Sequence, residues 1–183
     1  MASTTAFRRL ALTAARPARS FHNSARAFIK VGDSIPQLNV LVEDSPGNKV
    51  NLAEEISKGK SLIIGVPAAF SPSCSNSHIP GYINHKKLKS AGNVFVVAVN
   101  DPFVTKAWGA SLDPTGSSGI RFLGDPTVKF TEALDLAFDG AAIFGGPRSK
   151  RYVLEVEDGK VTAVHVEPDN TGLDVSAAEK VLG

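Results

Sequence analysis

Apolar residues gather in two compact blocks, Ser61 to Val66 (SLIIGV) and Val94 to Val99 (VFVVAV), with a stretch of mixed character between them. Short runs of mostly β-branched residues without polar alternation fit strands buried on both faces. Between the blocks, Ser71 is placed to cap a helix and Pro72 to open it. The spacing predicts that this helix runs to about Ser90, bent near Pro80-Gly81, and ends at Ala91-Gly92-Asn93. Two buried strands joined by a helix predict parallel neighbours.

Weaker patterns surround this unit. Residues 37–42 (QLNVLV) are a short strand candidate, Ser45-Pro46-Gly47-Asn48 reads as a turn, and Asn51 is placed to cap a helix over 52–58. Asn100-Asp101-Pro102 opens a helix containing Trp108, and Asp125-Pro126 opens another over about 127–136. Residues 151–157 and 160–166 flank Asp158-Gly159 and predict a β-hairpin. Ser176-Ala177-Ala178-Glu179 has the form of a capping box before a terminal helix. The succession predicts an α/β domain: a thioredoxin-like layout with a mixed central sheet, helices on both faces, and an extra element before the hairpin.

Composition agrees with one ordinary core: 43% of the 183 residues are hydrophobic and 21% charged, which excludes disorder. The charge is unevenly placed. Residues 1–28 hold Arg8, Arg9, Arg16, Arg19 and Arg26 and no acid, so the formal net charge of +2 becomes −3 for residues 29–183. An Arg-, Ser-, Thr- and Ala-rich start without acids has the composition of a mitochondrial transit peptide. Arg19-Ser20-Phe21-His22-Asn23-Ser24 also resembles the R-x-F-x-x-S site of presequences trimmed in two steps. On this reading residues 29–183 form a single mature domain of the mitochondrial matrix, and a second pool in cytosol or peroxisome stays open. A net acidic domain argues against nucleic acid as a partner. Residues 61–85 lack Asp, Glu, Lys and Arg, but Pro67, Pro72 and Pro80 break the run, so no membrane insertion is expected.

The single cysteine, Cys74, excludes an internal disulfide, a CxxC pair and a Cys-only zinc site. It falls in the first turn of the helix after the first buried strand, where unpaired N–H groups and the helix dipole favour an anion. Thiols at such positions ionise more readily than free ones. A reactive thiol and a buried structural thiol both fit the position. Cys74 and His78 have the spacing of half a metal site without a further ligand, so no metal and no bound cofactor are expected. Ser71, Ser73, Ser75 and Ser77 lie outside any G-x-S-x-G elbow, which argues against a serine hydrolase.

The run from Pro67 to Cys74 (PAAFSPSC) matches P-x-x-x-[ST]-x-x-C, the peroxidatic signature of the peroxiredoxins. The wider phrase GVPAAFSPSCSNSHIPGY resembles their type 5 branch, as do Val99-Asn100-Asp101, Ala107-Trp108-Gly109, Asp125-Pro126, Lys150-Arg151-Tyr152 and Val166-Glu167-Pro168. The resemblance covers essentially all of 31–183. It implies a thiol peroxidase for hydrogen peroxide and organic hydroperoxides, in which Cys74 becomes a sulfenic acid. By the same resemblance Ser71 orients the peroxide, Arg151 holds the thiolate and the departing oxygen, and Pro67 shields the pocket. His78 and Trp108 match positions that support the active-site loop and helix. Ala68 and Ser71 depart slightly from the family phrase. The larger departure is Val175, which stands where many relatives carry a resolving cysteine. A one-cysteine cycle is therefore expected, with an external thiol such as glutathione with glutaredoxin, or thioredoxin. The resemblance also suggests a homodimer. The alternative is a redox-relay or chaperone-like binding protein with little turnover.

Overall fold

The computed structural model describes residue 1 and residues 28–183; the expected transit peptide lies outside the described residues. A seven-stranded mixed sheet organises the chain. Its strands are β1 (Leu41–Glu43), β2 (Ser45–Val50), β3 (Lys60–Val66), β4 (Asn93–Ala98), β5 (Arg121–Gly124), β8 (Tyr152–Glu157) and β9 (Lys160–Val166), the short β6 (Ala137–Phe138) and β7 (Arg148–Ser149) pairing apart from it. The order across the sheet is β2-β1-β5-β4-β3-β8-β9.

The two apolar blocks are the centre of this sheet. β3 and β4 run parallel from Ser61 opposite Asn93 to Val66 opposite Ala98. Alternation then divides their side chains between two cores. Ile63, Phe95 and Val97 join Leu123, Phe130 and Leu154 on one face, while Leu62, Ile64, Val66, Val94 and Val96 meet Ile79, Tyr82 and Trp108 on the other. The expected thioredoxin-like α/β layout is the one observed.

Two glycines are fixed by close approach. Gly65 lies opposite Tyr152 in the β3–β8 pair, and a Cβ there would fall 1.9 Å from Tyr152 Cε1. Gly92 turns the chain into β4 at φ +81°, with Lys60 O only 1.8 Å from where its Cβ would stand. The predicted hairpin is present: Asp158 and Gly159 both take positive φ, as a two-residue turn of this hand requires.

Several expectations need correcting. Ser45-Pro46-Gly47-Asn48 is not a turn but most of β2; the chain reverses one residue earlier, at Asp44 with φ 61°. The helix expected over 52–58 is α1 (Leu52–Glu55), and Asn51 directs its side-chain amide to Glu54 and Gln37 rather than capping it. The helix after β3 begins at Pro72, passes through a π turn over Cys74–His78 into α2 (Ile79–Ile83), and stops well before Ser90. A separate 3-10 turn covers Leu88–Ala91. α3 (Pro102–Leu112) forms as predicted, capped by Asp101, whose Oδ1 accepts from Phe103 N and Val104 N.

The helix expected over 127–136 shortens to α4 (Lys129–Ala133), entered through Val128 in the left-handed region. Asp125 fastens it from a distance through Thr131 N and Oγ1. α5 (Ala141–Phe144) follows. α6 (Ala178–Val181) closes the chain without the capping box: Ala177 stands at the cap, and the Ser176 hydroxyl goes to Glu167 instead. No helix among the described residues is long and apolar enough to cross a membrane.

Candidate active site

The site forms where β3 ends and the next helix begins. Pro67 follows the last residue of β3 and is buried. The chain then turns through Phe70, held at φ 60°, while Ala69 N donates to Asn100 Oδ1 and ties this turn to the loop after β4. Pro72 at the helix start places Ser71 and Cys74 on one turn, three residues apart. The π turn has a local cause: Pro80 has no N–H, and its ring would collide with the carbonyl four residues back in a regular helix. Widening over Cys74–His78 relieves this, and Ile79 N donates to Cys74 O across five residues.

Cys74 is fully buried, 0% exposed. The Ser71 hydroxyl lies 2.8 Å from its sulfur and 3.0 Å from Ala68 O. One hydroxyl proton serves only one of these acceptors at a time. With a protonated thiol it goes to Ala68 and Oγ accepts from S–H; with a thiolate it turns to the sulfur.

Arg151, just before β8, reaches the same sulfur from the strand beside β3. Its Nη1 stands 3.3 Å from Cys74 Sγ and also donates to His78 Nδ1 at 3.1 Å. Nε donates to Gly172 O at 2.7 Å, and Nη2 to Thr171 O at 3.1 Å. The guanidinium is buried, and no carboxylate pairs with it among the described residues.

His78 completes the cluster. Its Nδ1 accepts from Arg151, so Nε2 carries the proton and donates to Ser176 O at 3.1 Å. Burial, and next the positive charge of Arg151, bring its pKa down to about 3, so the ring stays neutral. Both nitrogens are thereby engaged with the protein. Among the described residues no group of three His, Cys, Asp or Glu side chains could hold a metal ion.

Trp108 is buried under the π turn and its Nε1 donates to Ser75 Oγ at 2.9 Å, fixing the residue after Cys74. The structure thus brings Cys74, Ser71, Arg151 and His78 into direct contact and sets Trp108 behind them. Sequence reasoning gave no role to Tyr82, whose hydroxyl donates to Ser176 O, or to the carbonyls of Thr171 and Gly172. A backbone carbonyl leaves no trace in residue type. Chemically, a sulfur held between a hydroxyl and a guanidinium is equipped to carry negative charge and to stabilise it on an oxygen brought against it.

A model of the Redoxin family matches residues 30–182. Peroxisomal membrane associated protein 20 of Schizosaccharomyces pombe is 45% identical over 158 residues, covering 85% of this chain and 98% of that protein. The mitochondrial peroxiredoxin-2F of Arabidopsis thaliana is 42% identical over 133 residues, covering 70% of this chain and 65% of its own length. Among solved structures, reduced Prx3 from Vibrio vulnificus in complex with hydrogen peroxide superposes with a TM-score of 0.74 at 36% identity, covering 85% of this chain and 98% of that one. The matched residues include both the strand that leads to Cys74 and the strand that follows Arg151, and the chain accordingly belongs to the Redoxin family and, within it, to the peroxiredoxins, which are thiol peroxidases.

Proposed function

We propose that Cys74 is the nucleophile of an antioxidant peroxidase that reduces hydrogen peroxide and organic hydroperoxides and is regenerated by an external thiol. The observation that carries this reading is Arg151 Nη1, 3.3 Å from Cys74 Sγ with no competing carboxylate among the described residues. The thiolate attacks one peroxide oxygen; an S–O bond forms, the O–O bond breaks, and the sulfur is oxidised by two electrons. The leaving alkoxide or hydroxide takes a proton and departs as alcohol or water. Arg151 and Ser71 donate to the charge that develops on that oxygen. Pro67 keeps bulk water from the sulfur, while His78 and Trp108 hold Arg151 and the π turn in place.

The chain has one cysteine, so no second thiol of its own can condense with the sulfenic acid. An incoming thiol forms a mixed disulfide and releases water, and a second thiol returns Cys74 to its reduced form. Glutathione with glutaredoxin, or thioredoxin, supplies these equivalents. Residues 1–28 serve as a matrix-targeting peptide ahead of a domain spanning 29–183, and a homodimer is the working form; the mitochondrial relative supports the destination.

Rapid mixing of the reduced chain with hydrogen peroxide tests the reading, followed through the fluorescence of the only tryptophan, Trp108, whose indole bonds the neighbour of Cys74. A second-order rate constant of roughly 10⁴–10⁸ M⁻¹s⁻¹ is expected. A rate no faster than that of a free thiol sinks it. The missing second cysteine also favours a redox relay, which predicts one equivalent of peroxide consumed and then a stall even with glutathione and glutaredoxin, or thioredoxin, present.

A further inference from the structure

Glu167 follows β9 and is buried, 2% exposed, yet no Lys, Arg or His pairs with it among the described residues. A buried carboxylate without a cation is costly unless hydrogen bonds satisfy it. Here one oxygen does nearly all of that: Glu167 Oε1 accepts from Asp174 N at 2.8 Å, Ser176 N at 2.9 Å and Ser176 Oγ at 2.7 Å. Burial pushes its pKa up, but these bonds outweigh it and hold the group below its ordinary value, as a carboxylate.

The segment fastened in this way has no regular structure from residue 167 to 177. It nevertheless supplies every carbonyl that the cluster around Cys74 uses from that side. Thr171 O and Gly172 O receive the Arg151 guanidinium, and Ser176 O receives His78 and Tyr82. Its base grips the backbone of Arg151 as well: Glu167 N donates to Arg151 O, Arg151 N donates to Asn170 O, and Asn170 N donates to Glu167 O. Asp169 adds a local bond to Gly172 N. Glu167 is therefore tied to both ends of the loop, with the carbonyls for Arg151 strung between.

We propose that Glu167 is a positioning residue for the peroxidase reaction: its Oε1 folds the 170–176 loop so that Thr171 O and Gly172 O aim the Arg151 guanidinium at Cys74. The proposal rests on the reading of Cys74 as nucleophile and Arg151 as its partner.

The test compares second-order rate constants with hydrogen peroxide for the full chain and its variants. Glu167→Ala removes the acceptor for three donors and is expected to lower the rate constant about 10- to 100-fold, the cost of misplacing a catalytic group by about an ångström. Glu167→Gln keeps an oxygen at Oε1 and is expected to restore the rate to within about threefold of the unaltered chain. In an Arg151→Lys background, which lacks the guanidinium that the loop carbonyls hold, the Glu167→Ala effect is expected to shrink below about threefold. Equal losses in both backgrounds, or a Gln variant no faster than the Ala variant, overturn the proposal. So does a folded Glu167→Ala chain that reacts at the unaltered rate. If Glu167→Ala does not fold, Glu167→Asp takes its place, since its shorter carboxylate cannot reach all three donors. Failure of the underlying reading looks different: the unaltered chain itself then reacts no faster than a free thiol.

Discussion

Arg151 reaches Cys74 from 77 positions further along the chain, with Nη1 3.3 Å from the sulfur. Both residues are buried, and three other bonds from the same guanidinium run to Thr171 and Gly172 carbonyls. An arginine held this firmly at a sulfur is a fixed donor that needs no reorganisation when charge moves onto an oxygen.

Removing it therefore carries a defined cost. Arg151→Ala is expected to lower the second-order rate constant for peroxide about 10²- to 10³-fold, the range for loss of one preorganised donor. Arg151→Lys should fall between, because an ammonium keeps the charge and loses the fork that meets Cys74, His78 and the loop carbonyls together. Cys74→Ser should abolish the reaction. Stopped-flow Trp108 fluorescence reads all three. An Arg151→Ala chain that reacts at the unaltered rate would contradict the role given to the guanidinium.

Ser71 offers a finer test, since its hydroxyl sits 2.8 Å from the sulfur. Ser71→Ala is expected to cost about tenfold to a hundredfold, the worth of one hydrogen bond to a charged group. Ser71→Thr keeps the hydroxyl and should keep the rate. Loss in both variants alike would point to packing around residue 71 rather than to the hydrogen bond.

The buried His78 imposes a pH dependence on stability. Its pKa falls from an ordinary 6.5 to about 3 in the fold, so between these values the unfolded chain binds a proton that the folded chain does not. Stability must then rise with pH across that window and be lost as pH drops below about 6.5, by on the order of 1 kcal/mol per pH unit. Asp125, whose pKa burial raises, acts in the opposite sense just above the ordinary carboxylate range. Thermal melts of the chain and of His78→Asn between pH 5 and 7.5 separate the two. The difference in slope belongs to His78, and equal slopes would contradict the burial of a neutral ring.

Gly65 tests the frame that carries the site. A Cβ there would stand 1.9 Å from Tyr152 Cε1, and Tyr152 is itself fully buried. Gly65→Ala is expected to cost about 1–3 kcal/mol, the range for overpacking a core, and to lower Tm by about 2–12 °C in a domain of this size. Combining it with Tyr152→Val, which frees the space, should cost less than the two single changes added together. Strict additivity would mean that the ring and the glycine are not in contact.

How much of this was legible in the sequence depends on how local the cause is. β3 and β4 were readable because their apolar runs need no partner to be recognised, and the hairpin because Asp158-Gly159 accepts the positive φ its turn demands. β2 was not, since Ser45-Pro46-Gly47-Asn48 has every mark of a turn and becomes a strand only by pairing with β1. β5 was hidden for a similar reason: Arg121-Phe122-Leu123-Gly124 is too short to show a period. It is held by its place beside β4 and by Arg121 pairing with Glu43 and Glu55. The capping box at Ser176 failed because a buried carboxylate competed for the hydroxyl. At the site, Cys74 was visible as a candidate from its place in the first helical turn, while its role and that of Ser71 came from the signature spanning Pro67 to Cys74. Arg151 was visible only through a family likeness, because nothing in residues 150–152 says that the strand begins beside residue 74.

The burial of Cys74 sorts visitors by size. A peroxide is two oxygens with a small or slender tail, and a small local shift is enough to admit it. The thiol of another folded protein arrives on a surface many ångströms across and cannot touch a sulfur that exposes 0% of its area. A peroxide and a protein thiol thus need openings of different size to reach this sulfur. If the reductant is a protein thiol, its step requires the backbone between Pro72 and His78 to move aside further than a peroxide requires. A plot of turnover against reductant concentration should then level off at the rate of that movement, a ceiling set by the helix rather than by either chemistry.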